Sequence, residues 1–454
     1  MDALARRISA LNDKPPRQDA QYVLYWMQHS QRADANPALE RAAYWANECR
    51  LPLLVLFVVD PDYPDANLRH YTFMLEGLKE TIAAIEKRGA HVSLRLGSPP
   101  KIAAECAKKA AIVVTDRGYL RHLVAWRREL AEDASCLVET VEGEAIVPVE
   151  EASGKHETAA RTFRPRVHKA LPRFTDLPPT ITLKTKAKGL ASSANETLTD
   201  VAAFAEKLGC DTAVKPVADI KGGTSQARRR LAHFVQEDLP HYGDGRADMV
   251  NRHISVMSPY LHFGQISPLE IYLTVKEASA KRESQDSYVE EMLVRRELAI
   301  NHAHYAPDDY DAYSGLPKWA QDTLEAHKGD PREKVFTYKE LEAGKTDDPY
   351  WNAAMKEMRE TGYLHNHMRM YWGKRLIAYT NTPKTAYDFA LKLNNTYFLD
   401  GRDANSYANI GWLFGLHDRG WPERAVFGKV RTMTAGGLER KFDIKSYVKW
   451  TEGL

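Results

Sequence analysis

The chain has 454 residues, 44% of them hydrophobic and 27% charged, and carries a net charge of +2. That length exceeds one ordinary hydrophobic core, so two or three domains are expected, with the composition of a soluble globular protein. Cys49, Cys106, Cys136 and Cys210 are scattered without a CxxC pair, which argues against a zinc site or a disulfide framework and fits a reducing compartment. The first twenty residues lack an apolar signal core, and no run approaches about 18 uninterrupted apolar residues, so no membrane span is expected.

The first third alternates strands and helices. Strands are predicted over Tyr22–Met27, Leu51–Asp60, His91–Leu96, Ala111–Asp116 and Cys136–Val141. Helices are predicted over Pro37–Cys49, Leu68–Arg88, Lys101–Ala110 and Leu120–Ala131. Continuous apolar strands between amphipathic helices imply a parallel sheet covered on both faces. Such sheets bind ligands at the carboxyl ends of their strands. No GxGxxG follows the first strand, so the dinucleotide fingerprint is missing.

Residues 177–195, rich in Pro, Thr, Ser, Lys and Gly, read as a surface linker. Beyond about Gly222 the chain is predominantly helical, and six of the nine tryptophans lie from Trp319 onward. The organisation is therefore an α/β parallel-sheet domain over 20–175, a linker over 176–221 and an all-α domain over 222–454. The aromatic load of the last part suits either core packing or a planar ligand.

Within Gly362–Arg375 (GYLHNHMRMYWGKR), Asn366, Arg369, Met370 and Gly373 share one helix face, and Trp372 flanks it. Gly373 costs a helix about 1 kcal/mol relative to alanine, and close approach of a flat ligand would explain it. A buried Arg369 would require an acidic partner. In HISVMSPYLHFGQISP, Ser255 and Ser258 precede an aromatic helix, as N-caps or as an anion site. Glu291 and Arg295 stand at i, i+4, the spacing of an ordinary helix ion pair. LNNTYFLDGRDANSYANIGW gathers Asn394, Asp400, Arg402, Asp403 and Asn405 in a loop-like run suited to a heteroaromatic edge or to local turns. Arg419–Lys449 holds eight Lys/Arg against three Asp/Glu, a basic footprint for phosphates or a solvated face.

SPYLHFGQIS, RREL, EAGKTDDPYWNAAM, MRMYW, LDGRDANSYA, HDRGWPER and GKVRTM occur in this order. On these motifs, with YWMQHSQRADANPAL and KHETAARTFRPR in the first half, the chain resembles the photolyase/cryptochrome family. Within it, the likeness is to the class II cyclobutane pyrimidine dimer photolyases, from about Tyr22 to Trp450. The resemblance implies an N-terminal α/β domain and an all-α domain that holds FAD in a U shape. It implies a carbon–carbon lyase in which blue light excites reduced FAD (FADH⁻). The flavin lends an electron to a pyrimidine dimer flipped out of UV-damaged double-stranded DNA, and the ring splits. A monomer, cytoplasmic and nucleoid-associated or nuclear, with no metal, is expected. A deazaflavin or folate antenna is left open.

By resemblance, Tyr242, Ser255 and Ser258, with the backbone of Ile254, Val256 and Met257, lie along the FAD diphosphate and ribose. Arg369 and Asp400 look like the salt bridge beside the isoalloxazine, and Asn394 like the asparagine facing its reactive nitrogen. Asn366, Asp403 and Asn405 join the cofactor set. Glu291 looks like the acid that bonds flavin-side and dimer groups and stabilises the dimer radical anion. Met370 and Trp412 contact the lesion, and Arg246, Arg419, Trp421 and Arg431 hold the opened duplex. Two departures stand out. Arg295 occupies a position where many family members have tryptophan. By resemblance the photoreduction chain runs through Trp372 and Trp351, and its third position, usually tryptophan, is Tyr379, which is expected to end the chain, exit through another aromatic being the alternative. A light sensor on the same fold is the alternative reading; the short run after Trp450 and the basic C-terminal stretch weigh toward repair.

Overall fold

The computed structural model describes residues 2–187, 189–190 and 194–454. Six strands, β1 (Ile8–Ala10), β2 (Tyr22–Trp26), β3 (Leu53–Val59), β4 (His91–Leu96), β5 (Ala110–Asp116) and β6 (Leu137–Val141), form one sheet of order β1-β6-β5-β2-β3-β4. The last five run parallel. Helices α1 (Pro37–Cys49) and α2 (Leu68–Lys87) cover one face, and α3 (Pro99–Ala107) and α4 (Arg121–Asp133) the other. Double coverage is why every residue of β2, β3 and β5 is buried.

Local chemistry sets the helix ends. Asn36 accepts from the Ala38 and Leu39 N–H groups at 3.1 and 3.0 Å, Pro37 follows, and Arg50 closes α1 in the left-handed region at φ 55°. The expected elements are all present, with ends within three residues of the reading. β1 is an addition. It pairs antiparallel to β6, Ile8 opposite Val141, and three residues are too few to show alternation.

Part of the expected surface linker belongs to the core. Leu183 is buried, and α5 (Val201–Lys207) buries Phe204 and Ala205 on the face that α1 and α2 cover. Few apolar side chains are needed to cover α2, so a polar composition hid this role. Residues 188 and 191–193 of that stretch lie outside the described residues.

The second half packs helices α6 (Arg296–Tyr305), α7 (Pro349–Thr361), α8 (Asn366–Tyr379), α9 (Pro383–Tyr397) and α10 (Ala404–Leu413) with further helices such as Thr224–His233 and Pro268–Glu277. Trp351 and Trp372 lie at the centre with no exposed surface. The run read as loop-like is mostly helical. Asn394 belongs to α9 and Asn405 to α10, and only the residues between Tyr397 and Ala404 form a loop.

Gly373 has a different reason from the expected ligand clearance. A β-carbon there would stand 2.1 Å from Leu413 Cδ1, so the glycine lets α8 and α10 approach each other. Gly373→Ala should therefore destabilise the protein by about 1–3 kcal/mol through overpacking, with Leu413→Ala in the same chain recovering part of the loss in thermal melts. If the alanine variant melts with the wild type, the close approach is not a constraint.

Candidate functional site

The face of α8 meets the loop after α9. Arg369 donates to Asp400 at 3.1 and 3.3 Å, and its guanidinium lies 3.9 Å above the Phe398 ring. This supplies the acidic partner that a largely buried arginine requires. Ser406 Oγ donates to the Asp400 carbonyl at 2.8 Å and accepts from Asn394 Nδ2 at 3.1 Å. Asn394 also donates to Asn395 Oδ1 at 3.0 Å, while its own Oδ1 is buried without a partner. A buried acceptor lacking a donor, beside a charge-balanced arginine, fits the N–H edge of a heteroaromatic ring such as a flavin. Asn366 stands exposed at the start of α8, and Asn405 is half-buried on α10.

Residues 254–258 line a second feature. Arg230 donates to the Ile254 and Ser255 carbonyls, holding an extended segment in which Val256 takes φ 51°. An open cleft of about 1330 Å³ lies there, bounded by Ile254, Val256, Arg229, Arg230, Arg252 and Tyr363. Neither Ser255 nor Ser258 caps a helix. Ser258 is the first residue of a five-residue helix, so basic side chains and not a long helix dipole give the cleft its attraction for anions. Tyr242 is buried nearby, in edge contact with Phe234 and Tyr288.

The expected Glu291–Arg295 pair does not form. Residues Glu290–Arg295 are a π-helix, whose i→i+5 repeat brings Arg295 to Glu290 at 3.1 Å. Glu290 is also held by Arg164 at 2.7 Å. Glu291 is thereby free to face Arg246, at 2.9 Å.

Tryptophan and arginine alternate on the basic C-terminal surface. Arg431 lies 5.8 Å from the Trp412 ring and 4.9 Å from the Trp421 ring, and Arg419 lies 5.1 Å from Trp421. Cation–π contacts hold the cations over flat faces, an arrangement suited to phosphates and unstacked bases. Beneath Trp412, the fully buried Lys374 points its ammonium at the ring from 5.0 Å and donates to the Leu413 carbonyl. Burial pushes the Lys374 amine down to about 7. Met370 is half-buried on the same helix.

Trp372, Trp351 and Tyr379 form a connected path. Trp351 Nε1 donates to the Trp372 carbonyl at 2.9 Å, and its ring centroid is 6.0 Å from that of Tyr379. Tyr379 ends α8; its hydroxyl donates to Asp348 at 3.1 Å and accepts from Arg375 at 2.8 Å. Burial, with Asp348 adding to it, pushes the Tyr379 phenol up to about 12. Tyr371 donates to the same Asp348 oxygen. Asp348, which sequence reasoning missed, also caps α7 through the Tyr350 and Trp351 N–H groups. Its position before a proline signalled the cap but not the tyrosine contact.

A further cavity opens where the sheet's strand order reverses between β2 and β5. Trp26, Tyr63 and Trp126 line it from the sheet side, and His262, Arg402 and Asp403 from the helical side. Both side-chain atoms of Gln28, and Nε and Nη2 of Arg402, are buried there without partners. Asp403 accepts from the Ser406 N–H at 2.7 Å as the cap of α10 and stands 3.6 Å from His262. It therefore borders this cavity, on the far side of the loop from the Arg369–Asp400 pair. Ser406, Arg230 and Arg252 are further polar residues that the sequence motifs did not single out.

The fold is shared with solved photolyases. An archaeal photolyase from Sulfolobus tokodaii, described as holding two FAD molecules, superposes with a TM-score of 0.71 at 17% identity, covering 94% of this chain and 88% of that one. The DNA photolyase family model matches residues 23–184. A deoxyribodipyrimidine photo-lyase of Methanothermobacter thermautotrophicus is 44% identical over 99% of both chains. One from Potorous tridactylus is 37% identical over 94% of this chain and 81% of its own. The chain belongs to the DNA photolyase family. No helix among the described residues is long and apolar enough to cross a membrane.

Lys374 gives the site a pH signature. Its folded pKa of about 7 lies below the ordinary lysine value of about 10.4, so between these limits the unfolded chain binds a proton that the folded one does not. Stability from this group therefore rises with pH across that window and is lowest below it. Lys374→Met should be more stable than wild type in urea titrations near neutral pH, with the advantage shrinking toward about pH 10. A constant difference would remove Lys374 as the source.

Proposed function

We propose that this chain is a deoxyribodipyrimidine photo-lyase, a light-driven DNA repair enzyme of the class II type that splits cyclobutane pyrimidine dimers. The observation that carries the reading is agreement with an enzyme of that name at 44% identity across the whole chain. Bound reduced FAD would supply blue-light absorption and the electron that opens the dimer.

The chain's own residues do the rest. The 254–258 segment and the basic cleft beside it receive the diphosphate. Arg369, balanced by Asp400, and the unpartnered oxygen of Asn394 orient the ring. The alternating ladder of Trp412, Arg431, Trp421 and Arg419 grips the opened duplex, with Trp412 offering a face to the extruded base. Glu291 turns from Arg246 to the lesion, where in its carboxylic acid form it donates a hydrogen bond to a lesion carbonyl as negative charge arrives. Arg295, already committed to Glu290, lies at the rim to reach a backbone phosphate. The cavity at the sheet suits a second, planar pigment. Its walls are aromatic, and the spare donors of Arg402 and Gln28 face its interior.

The direct experiment illuminates reduced, flavin-loaded protein with a thymine-dimer oligonucleotide. Dimer loss in blue light and none in darkness is expected; persistence of the dimer with intact flavin would favour a sensor.

Photoreduction gives a separate expectation. Tyr379 passes an electron to Trp351 and its phenolic proton to Asp348, which already accepts its hydrogen bond. In Tyr379→Phe, transient absorption should show a shorter-lived radical and a lower photoreduction yield, and Asp348→Asn should slow the proton loss. If Tyr371→Phe gives the loss and Tyr379→Phe does not, the path ends at Tyr371.

A further inference from the structure

Three histidines outside the flavin and DNA residues converge where three distant segments meet. His156 lies between the helices Val149–Ala152 and Ala160–Ala170, His302 in α6, and His417 in the turn after α10. One ring nitrogen from each lies within 4.8 Å of the other two. His156 Nε2 and His302 Nδ1 are 3.0 Å apart, with the rings stacked at 5.2 Å. His417 closes the group, its ring edge-on to His302 at 5.5 Å.

His417 carries a second, independent observation. Its Nε2 is buried and has no hydrogen-bond partner. A buried imidazole nitrogen without a hydrogen-bond partner, on a ring packed edge-on against His302, is an incomplete polar site. The backbone holds the ring there although His417 takes φ 57°, a region that side chains disfavour.

The chemistry of the trio favours a cation. Burial pushes His417 down to about 3 and His302 to about 4, and lowers His156 as well. All three are therefore neutral at physiological pH, the form that ligates. Of the two acids that act on His156, Asp309 and Glu157, the latter is engaged by Ser153 at 2.7 Å and Arg166 at 2.9 Å. A set of three nitrogens suits zinc and its transition-metal neighbours over magnesium or calcium, which require oxygen. Tetrahedral ligands at about 2.1 Å stand about 3.4 Å apart, so the His156–His302 pair at 3.0 Å must open slightly while the separation from His417 closes.

We propose that His156, His302 and His417 form a three-imidazole site for a zinc-type divalent ion, with the fourth position left to solvent. The lack of a CxxC pair excludes only a thiolate site. The ion ties the turn that carries Arg419 and Trp421 to the helix that continues from Arg295, so it orders the DNA-facing rim.

The test uses untagged, flavin-loaded protein stripped with a chelator. Calorimetric titration with Zn²⁺ should give one ion per chain, and Co²⁺ should develop visible d–d absorption. At a hundredfold excess over Kd the melting temperature should rise by about 3 °C. His156→Ala and His417→Ala should each weaken binding by roughly tenfold or more, as loss of one ligand of three requires. If His417→Ala folds poorly, judged by its metal-free melt and flavin absorbance, His156→Ala carries the test. No binding by the wild type, or equal binding by the double variant through other surface histidines, would overturn the site.

Discussion

Asn67, Arg69 and His70, at the start of α2, grip the carboxyl ends of two helices in the other half of the molecule. Asn67 donates to the Thr396 carbonyl at 2.7 Å, Arg69 to those of Tyr397 at 2.7 Å and Met358 at 3.3 Å, and His70 meets that of Phe398 at 3.0 Å. Helix ends leave four carbonyls without internal partners, and here the sheet domain supplies the donors. Burial pulls the Arg69 guanidinium down to about 10, still charged at neutral pH. Removing it would strand several buried acceptors at once.

That grip fixes the start of the short loop that serves both cavities. Two residues beyond Phe398, Asp400 turns toward Arg369. Two residues further, Arg402 turns into the cavity at the sheet, in the left-handed region at φ 67°. Asp403 then caps α10, and Ser406, one turn on, bonds back to Asp400 and Asn394. Six residues thus set the Arg369–Asp400 pair, the second cavity wall and the start of the helix that bears Trp412. Arg32 adds a second staple, donating to the Gly264 and Gly143 carbonyls at 3.0 and 3.1 Å.

The interior around α8 keeps charge and aromatic rings in deliberate contact. Arg369 lies on Phe398, Lys374 beneath Trp412 and Arg375 against Tyr379. Each cation has a carbonyl, carboxylate or hydroxyl as well as a ring, so the helix carries positive charge inward without an isolated buried ion. The mixture of polar and aromatic residues on α8 follows from this. The helix packs tryptophans on one side and presents a balanced polar edge on the other.

The alternation of apolar strands and amphipathic helices was legible in the first third, because burial on both faces leaves continuous Val, Ile and Leu runs such as Leu53–Val59. The Arg369–Asp400 pair was legible through the family resemblance, whereas the residues alone said only that a buried Arg369 would need some acid. What the linear order determined, then, was which segments are helix or strand and which side chains carry charge or rings. Tertiary structure alone decided the rest. It turned Gly373 toward Leu413, moved the Arg295 pairing to Glu290 through one π-helical turn, assigned Asp348 to Tyr379, and gathered His156, His302 and His417. Each of these depends on a contact between distant segments or on a one-residue change of helical phase, and local periodicity carries no signal for either.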